Sequence, residues 1–305
     1  MSERSTSWVT FLLATLAGTL GPSSLTAACS RAGSVEPLSE RSASQLPFRL
    51  NQEGLIVVDG SIRGADKLRF LIDTGAMRTV VDTRVTKKLG LATSGGAVRL
   101  LAVNEIRRVE QVIVPELKVG PIQIGTLRAV AGDLVYLSGS GTRIDAIIGL
   151  DVLRSSSFSV DYGARRMTFG PMAPSSQAVP FQTILPLLTV TVEIEGQPMR
   201  LMVDTGARKL VLFDGRAQAR LPKLPWRFTA IQSPAARSYV RELEIGRVRL
   251  GDAEWRQRPA FLMKVPAFAD GDLDGILAPS GLCLKRLDFD FNRNLLGWAL
   301  GRHCR

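Results

Sequence analysis

Apolar and polar residues alternate along much of this chain, in short stretches with a period of two. Two stretches carry the same arrangement of apolar positions: Leu117, Val119, Ile122 and Ile124, and then Leu243, Ile245, Val248 and Leu250. A period of two predicts half-buried strands, and the interruptions at Gly120-Pro121 and Gly246-Arg247 predict hairpin turns. The pattern therefore predicts one hairpin of this kind in each half of the chain.

Helical periodicity is scarce. Residues 79–91 predict one short helix, because Val80, Val81, Val85 and Leu89 are apolar and Gly90 can end the helix. The predicted fold class is therefore all-β.

A four-residue motif occurs twice, as Asp73-Thr74-Gly75-Ala76 and as Asp204-Thr205-Gly206-Ala207, each time after a short apolar run. The offset is 204 − 73 = 131 residues. A second block matches residues 116–125 with 242–251 at 242 − 116 = 126, and a third matches 145–150 with 274–279 at 274 − 145 = 129. A repeat of this length is the size of a domain, so the chain is predicted to contain two related lobes.

The chain divides into five predicted segments: a signal peptide at residues 1–28, a flexible segment at 29–47, lobe one at 48–170, a linker at 171–178 and lobe two at 179–305. The apolar run 8–20 is too short to span a bilayer, which needs about 20 residues, and small residues follow it at 24–28. We therefore expect export to the periplasm or cell envelope. The linker is predicted because residues 171–177 are rich in proline, serine and other breakers of regular structure.

Three cysteines allow two further predictions. Cys29 follows Ala28, where a bacterial lipoprotein carries its lipidated cysteine, but Thr26 stands where such signals usually have a large aliphatic residue. Lipid anchor and simple secreted protein both stay open. Cys283 and Cys304 can form a disulfide in an oxidising compartment, the alternative being two free thiols.

Charge and composition exclude several functions. The net charge is +11, but no basic run is interleaved with aromatic residues, so nucleic-acid binding is not expected. His303 is the only histidine, which argues against Ser-His-Asp catalysis and against a zinc site with two histidines. No glycine-rich phosphate loop is present. Carboxylates remain as the chemistry-bearing groups, and neither metal nor cofactor is expected.

The doubled motif gives the chain a resemblance to the retropepsin-like and pepsin-like aspartic proteases, in an exported bacterial form with two fused lobes. An apolar-apolar-small stretch follows each motif by about 70 residues, as Ile147-Ile148-Gly149 and Ile276-Leu277-Ala278. The resemblance implies two tandem β-barrel lobes that form an intrachain pseudo-dimer. It also implies an aspartic endopeptidase that acts on a peptide or protein substrate and needs no cofactor.

In this resemblance Asp73 and Asp204 activate one water, and a set of neighbouring residues supports the two loops: Thr74, Gly75, Ala76, Thr205, Gly206, Ala207, Gly149 and Ala278. The threonines are expected to hydrogen-bond across the lobe interface. Because Ala76 and Ala207 cannot donate a hydroxyl to the carboxylates, raised pKa values and activity at mildly acidic to neutral pH are expected.

Two hairpins are predicted to act as flaps over the cleft, residues 98–109 with Asn104 at the tip and residues 229–239 with Pro234 at the tip. Ordinary hairpin turns are the alternative. A non-catalytic peptide-binding envelope protein of the same fold is the alternative function. A monomer is expected, with a homodimer as the other possibility, and membrane contact is expected only through a lipid anchor at Cys29.

Overall fold

The computed structural model describes residues 7–8, 44–52, 54–102, 105–135, 137, 143–184, 187–232, 237–266 and 273–301. Its strands are β1 (Ser7–Trp8), β2 (Ser44–Pro47), β3 (Arg49–Leu50), β4 (Ile56–Ile62), β5 (Ala65–Ile72), β6 (Val80–Asp82), β7 (Val98–Ala102), β8 (Glu105–Val109), β9 (Gln111–Val119), β10 (Ile122–Gly132), β11 (Ala146–Ile148), β12 (Phe158–Asp161), β13 (Arg166–Phe169), β14 (Ala178–Pro180), β15 (Gln182–Ile184), β16 (Leu187–Ile194), β17 (Gln197–Val203), β18 (Leu210–Phe213), β19 (Trp226–Gln232), β20 (Arg237–Leu250), β21 (Ala253–Met263), β22 (Gly275–Leu277), β23 (Leu284–Asp290) and β24 (Leu295–Leu300). Its helices are α1 (Thr83–Lys88), α2 (Leu150–Leu153), α3 (Asp214–Arg220) and a 3-10 helix at Pro279–Leu282.

Lobe one is a closed six-stranded barrel. The sheet order β4-β5-β11-β6-β10-β9 returns on itself because β9 also pairs with β4, at Lys118 and Ser61. Closure removes the exposed strand edges of an open sheet. The inward positions of these strands are apolar and buried, as the alternation along the sequence predicts.

Lobe two repeats the same barrel with the order β16-β17-β22-β18-β21-β20, closed by the pairing of β20 with β16. The hairpin β7–β8 of lobe one corresponds to β19 and the first part of β20. In lobe one this hairpin is a separate two-stranded sheet, whereas in lobe two it continues into the barrel. The two-residue strand β1, inside the segment predicted to be the signal peptide, pairs in parallel with β19.

A third sheet joins the lobes. Its order β14-β24-β23-β12-β13-β2 takes three strands from each lobe, and β12 and β23 pair antiparallel at the centre. Phe158 and Phe289 face each other there, with ring centroids 4.7 Å apart. Buried residues of both barrels and of this sheet form one continuous cluster. The predicted all-β pseudo-dimer within one chain is confirmed.

One of the two predicted hairpin turns is wrong. In lobe one the chain turns at Gly120-Pro121 between β9 and β10, as predicted. In lobe two β20 continues straight through Gly246-Arg247, and the turn comes at Gly251-Asp252. The turns are therefore 251 − 120 = 131 residues apart, the offset of the Asp-Thr-Gly-Ala motif, and the sequence alignment at 126 is out of register.

Two other elements differ from the sequence expectation. The helix predicted within residues 79–91 is confirmed as α1, but it begins only at Thr83, after Asp82 accepts the N–H of Arg84 as a cap. Ser44–Pro47, at the end of the segment predicted to be flexible, form strand β2 instead and pair with β13. Leu46 packs against the apolar core there, which explains the order. In the described part of the chain, no helix is both long and apolar enough to span a membrane.

Candidate active site

Each predicted catalytic aspartate follows a central barrel strand, Asp73 after β5 and Asp204 after β17. The backbone N–H of Asp73 donates to the carbonyl of Ile148 at 3.1 Å, and that of Asp204 donates to the carbonyl of Leu277 at 3.0 Å. Since β11 and β22 run parallel to β5 and β17, these bonds fix the point at which each loop leaves its barrel.

The two aspartates lie against each other at the lobe interface, each 1% exposed. A Cβ atom on Gly75 would lie 2.5 Å from Oδ2 of Asp204, and one on Gly206 would lie 2.6 Å from Oδ2 of Asp73. Only glycine lets each loop pass so close to the opposite carboxyl group. The structure thus brings Asp73 and Asp204 together, and their side chains share a hydrogen bond.

Four hydrogen bonds lock the two loops through Thr74 and Thr205. The N–H of Thr74 donates to Oγ1 of Thr205 at 3.0 Å, and the N–H of Thr205 donates to Oγ1 of Thr74 at 3.1 Å. Each hydroxyl then donates across the interface, Thr74 to the carbonyl of Val203 at 2.9 Å and Thr205 to that of Ile72 at 3.0 Å. Every donor is buried and partnered, so the relative position of the two carboxyls is strongly held.

Backbone N–H groups orient the inner oxygen of each carboxyl. Oδ1 of Asp73 accepts from Gly75 at 2.8 Å and from Ala76 at 3.2 Å. Oδ1 of Asp204 accepts from Gly206 at 2.7 Å. The Oδ2 atoms approach the opposite loop, and no side-chain hydroxyl follows either glycine.

Burial raises the pKa of both carboxyls. It raises the pKa of Asp73 to about 6, although the hydrogen bond from Asp204 acts to lower it. The pKa of Asp204 is also raised well above its ordinary value, first by burial and then by the nearby charge of Asp73. Two carboxyls this close cannot both ionise easily, so the pair shares one proton, and its two apparent pKa values belong to the pair.

The wall behind the lobe-one loop is Gly149-Leu150-Asp151. A Cβ atom on Gly149 would lie 2.7 Å from the carbonyl oxygen of Ala76, so this position must be glycine. The N–H of Leu150 donates to that same carbonyl at 2.8 Å. Asp151 accepts from the N–H and the hydroxyl of Thr79, at 2.9 and 2.8 Å, and thereby ties the end of the loop to the wall.

The corresponding wall in lobe two is Ala278-Pro279-Ser280. Ala278 is buried and replaces the glycine, as the sequence shows. Pro279 has no N–H, and the hydroxyl of Ser280 donates to the carbonyl of Ala207 at 3.0 Å instead. Leu210 stands where lobe one has Thr79. Lobe two therefore has leucine and serine at the two positions where lobe one has the hydrogen-bonded pair Thr79 and Asp151.

Both predicted flap hairpins are present as hairpins. Val98 pairs with Val109 in lobe one, and Thr229 pairs with Val240 in lobe two, which are equivalent registers at an offset of 131. The predicted tip residues Asn104 and Pro234 lie outside the described residues. Closure of either hairpin over the cleft stays a prediction.

The sequence analysis missed an ionic link between the catalytic loop and the hairpin of lobe two. Nζ of Lys209 lies 2.6 Å from Oε1 of Glu242, and Arg227 contacts Oε2 at 2.8 Å. Lys209 also lies 4.7 Å from the ring centroid of Phe261. Glu242 is only 4% exposed. The sequence signal for this link was a glutamate, Glu242, among the apolar residues of β20. Because the second sequence block was aligned at an offset of 126 instead of 131, the alignment did not place Glu242 beside the catalytic loop.

The remaining predicted sites lie mainly outside the described residues. Cys29 and Cys304 are both outside, so lipidation and the disulfide stay predictions, and Cys283 is exposed. Among the residues that the structure describes, no three His, Cys, Asp or Glu side chains are grouped to hold a metal ion.

Comparisons with known proteins identify the family of the chain. The family model described as aspartyl protease matches residues 58–152 and 190–278. A search of curated proteins finds no match. The crystal structure of basic 7S globulin from soybean is 12% identical, with a TM-score of 0.45, covering 86% of this chain and 97% of that one. A retropepsin-like aspartic protease from Rickettsia conorii is 14% identical, with a TM-score of 0.30, covering 42% and 90%. The chain belongs to the aspartyl protease family.

Proposed function

We propose that this protein is an aspartic endopeptidase that hydrolyses peptide bonds with a water molecule activated between Asp73 and Asp204. One observation carries the proposal: two buried carboxyls share a hydrogen bond at the interface of two barrels. The four threonine bonds and the glycines that admit the opposite carboxyl support it. Burying two adjacent carboxyls costs folding free energy, and buried titratable pairs of this kind are typical of functional sites.

The reaction follows from the proton that Asp73 and Asp204 share. The ionised carboxyl of the pair removes a proton from water, and the water oxygen attacks the carbonyl carbon of the scissile bond. The protonated carboxyl donates its proton to the carbonyl oxygen, which gives a neutral tetrahedral diol. As the diol collapses, the carboxyl that took the proton from water passes it to the leaving nitrogen, the C–N bond breaks, and one diol hydroxyl returns its proton to the carboxyl that acted as the acid, which restores the pair. Because water is the nucleophile and the two carboxyls supply both the base and the acid, no covalent intermediate and no other acid or base is needed.

The pKa values also predict the pH dependence. Activity requires one ionised and one protonated carboxyl, so the rate should rise through the lower apparent pKa of the pair, about 6, and fall again above the higher one. Burial is the main cause, and the lack of a hydroxyl donor at Ala76 and Ala207 acts in the same direction. An optimum near pH 2 to 3, roughly where the pepsin pair titrates, would contradict this explanation.

Cleavage of an unbiased peptide mixture tests the function. The parent protein is compared with Asp73→Asn and Asp204→Asn, and Asp252→Asn serves as the control because it removes an exposed carboxyl in a turn. We expect each site variant to lose at least about a thousandfold in rate, since neither carboxyl can act alone. The control should keep the activity of the parent.

Two results would contradict the proposal. If the folded parent protein cleaves no peptide at any pH tested, the endopeptidase is rejected in favour of the non-catalytic peptide-binding protein. If only one of the two variants loses activity, the shared-proton mechanism is wrong. Circular dichroism and thermal unfolding establish that each variant is folded.

A further inference from the structure

The outer face of the lobe-two hairpin carries three exposed aromatic side chains. Trp226, Phe228 and Tyr239 are 51%, 66% and 68% exposed. In the register of β19 and β20, Phe228 pairs with Arg241 and Ala230 with Tyr239, so side-chain alternation puts all three aromatic rings on one face. We call Trp226, Phe228 and Tyr239 the aromatic face.

The aromatic face is ordered. The rings of Trp226 and Phe228 meet edge to face with centroids 5.0 Å apart. The guanidinium of Arg241 lies 5.9 Å from the indole centroid and is held by Asp214 at 2.5 Å, at the start of α3. The rings are therefore held in place while still exposed to solvent.

The opposite face of the hairpin already has a structural role. Val240 packs against the apolar cluster that contains Ala207 and Ala278, and Glu242 binds Lys209 beside the catalytic loop. The aromatic face therefore points away from the candidate active site and contributes nothing to the proposed reaction.

The barrel does not need these aromatic residues. At the offset of 131, lobe one has Gly95, Ala97 and Arg108 in place of Trp226, Phe228 and Tyr239, in a hairpin of the same register. Exposed aromatic groups lower solubility unless something covers them. The aromatic face is a feature of lobe two alone, and we ask what covers it.

The size and charge of the region favour a lipid surface. Three partly exposed aromatic rings present roughly 400 Å², about half of what each partner buries in a stable protein interface. Insertion into a bilayer interface needs only a few aromatic side chains with cations beside them. Lys223 is exposed without an ion-pair partner among the described residues, and the chain carries +11 in total, whereas the charge of Arg241 beside Trp226 is offset by Asp214.

We propose that the aromatic face docks on the interface of an anionic phospholipid bilayer. Indole and phenol rings settle at the level of the headgroups, where one end is apolar and the other hydrated. The exposed Lys223 and the net positive charge of the protein attract the anionic headgroups. This docking holds lobe two at the membrane by its outer face and leaves the other face of the hairpin turned to the cleft.

Intrinsic fluorescence gives a direct test. Both barrels and the shared sheet lie within residues 44–301, so we expect a variant without residues 1–29 to keep them, although it loses the edge strand β1 beside β19 together with the predicted export segment, Trp8 and Cys29. Of the remaining tryptophans, Trp255 and Trp298 are 2% and 1% exposed, so a change in emission reports Trp226. Vesicles of phosphatidylcholine with phosphatidylglycerol are compared with vesicles of phosphatidylcholine alone.

We expect a blue shift and co-flotation with the anionic vesicles, both reduced by added salt. The variant Trp226→Ser/Phe228→Ser/Tyr239→Ser should bind at least about tenfold more weakly. The matched control Val135→Ser/Val265→Ser/Leu300→Ser removes the other exposed large apolar side chains of the described residues and should bind like the parent.

Several outcomes would overturn the proposal: no binding by the folded parent, equal binding by the aromatic variant, or equal binding to both kinds of vesicle. A blue shift with a soluble peptide but not with vesicles would assign the face to a protein partner instead. None of these results depends on catalysis, since Asp73→Asn should leave vesicle binding unchanged.

Discussion

The catalytic loops of the two lobes form the same backbone hydrogen bonds but pack against different segments. Lobe one uses Gly149, whose missing side chain admits the carbonyl of Ala76, and lobe two uses Ala278. The loop carbonyl accepts from a backbone N–H in lobe one and from the hydroxyl of Ser280 in lobe two, because Pro279 has no N–H. The same hydrogen-bonding requirement is thus met by two side-chain solutions.

The lobes differ more strongly at the base of their hairpins. Lobe two links its catalytic loop to the hairpin through Lys209 and buried Glu242. At the equivalent positions lobe one has Arg78 and Gln111, and Arg78 donates to the backbone carbonyl of Arg128 instead. Symmetry is therefore kept where the two carboxyls meet and is lost a few residues away, where each lobe can support its own loop separately.

The largest expected difference is between Gly149→Ala and Ala278→Gly. The alanine Cβ in lobe one would lie 2.7 Å from the carbonyl of Ala76 and 2.8 Å from the backbone of Arg78, neither of which can move cheaply. We expect a loss of about 3 kcal/mol or more in the free energy of unfolding. Ala278→Gly removes one buried methyl and should cost about 1 kcal/mol.

Chemical denaturation of both variants measures the difference in their free energies of unfolding, and peptidase activity shows whether a displacement of the lobe-one loop extends to Asp73. Equal losses at the two positions would mean that the lobe-one wall can move as a unit. The tight contact at Gly149 would then not constrain the loop.

Where the lobes are alike, equivalent variants should behave alike. Thr74→Val and Thr205→Val each remove a hydroxyl that donates one buried hydrogen bond and accepts another. We expect each to cost about 2 to 3 kcal/mol, and the double variant to cost less than the sum because the residues share their bonds. A double-mutant cycle by denaturation measures the coupling, and clearly unequal single losses would show that the interface is not symmetric.

The features that could be predicted from sequence are those that recur in both halves. The doubled Asp-Thr-Gly-Ala motif and the alternation of apolar residues predict two related β lobes that bring their aspartates to one site, because each is a local pattern with a strong steric or packing cause. The barrel form of the lobes and the hairpins at 98–109 and 229–239 are what the resemblance to aspartic proteases implies, and the structure contains both.

The features that were missed are those in which the halves differ. The second block was aligned at 126 because Gly246 imitates the turn glycine Gly120, whereas pairing of β20 with β21 carries the strand past it. That error of register separated Glu242 from its position beside Lys209. The coupled exchange at Leu210 and Ser280 joins residues 280 − 210 = 70 apart and has no local signal in a single sequence.

The ionic link in lobe two should contribute less than the threonines. Burial alone would raise the pKa of Glu242, but hydrogen bonds from Lys209 and Arg227 outweigh it and hold the pKa below its ordinary 4.5. A lowered folded-state pKa means that the stabilisation is present above about pH 4.5 and is lost as the pH falls through the folded value. We expect Lys209→Met to cost about 1 to 2 kcal/mol at pH 7 and less at pH 3.

The matched variant in lobe one is Arg78→Met, which should cost less than about 0.5 kcal/mol because Arg78 donates to a backbone carbonyl and acts on the carboxylate of Asp151 only as a nearby charge. Denaturation at both pH values separates the two variants. A loss for Lys209→Met that does not change with pH would assign its effect to packing on Phe261 rather than to the ion pair.

The smallest expected effect is that of Ser280→Ala. It removes the hydroxyl that donates to the carbonyl of Ala207 at 3.0 Å, and because Pro279 has no N–H, no backbone donor from the described residues takes its place. We expect a loss of about 1 kcal/mol in the free energy of unfolding and a small fall in kcat with KM unchanged, because Ala207 lies in the loop that orients Asp204. Asp151→Ala at the equivalent position of lobe one should leave the carbonyl of Ala76 bound by Leu150 and instead free both donors of Thr79. If Ser280→Ala leaves both stability and kcat unchanged, the loop carbonyl of lobe two needs no donor, and the two walls are not alternative solutions to one requirement.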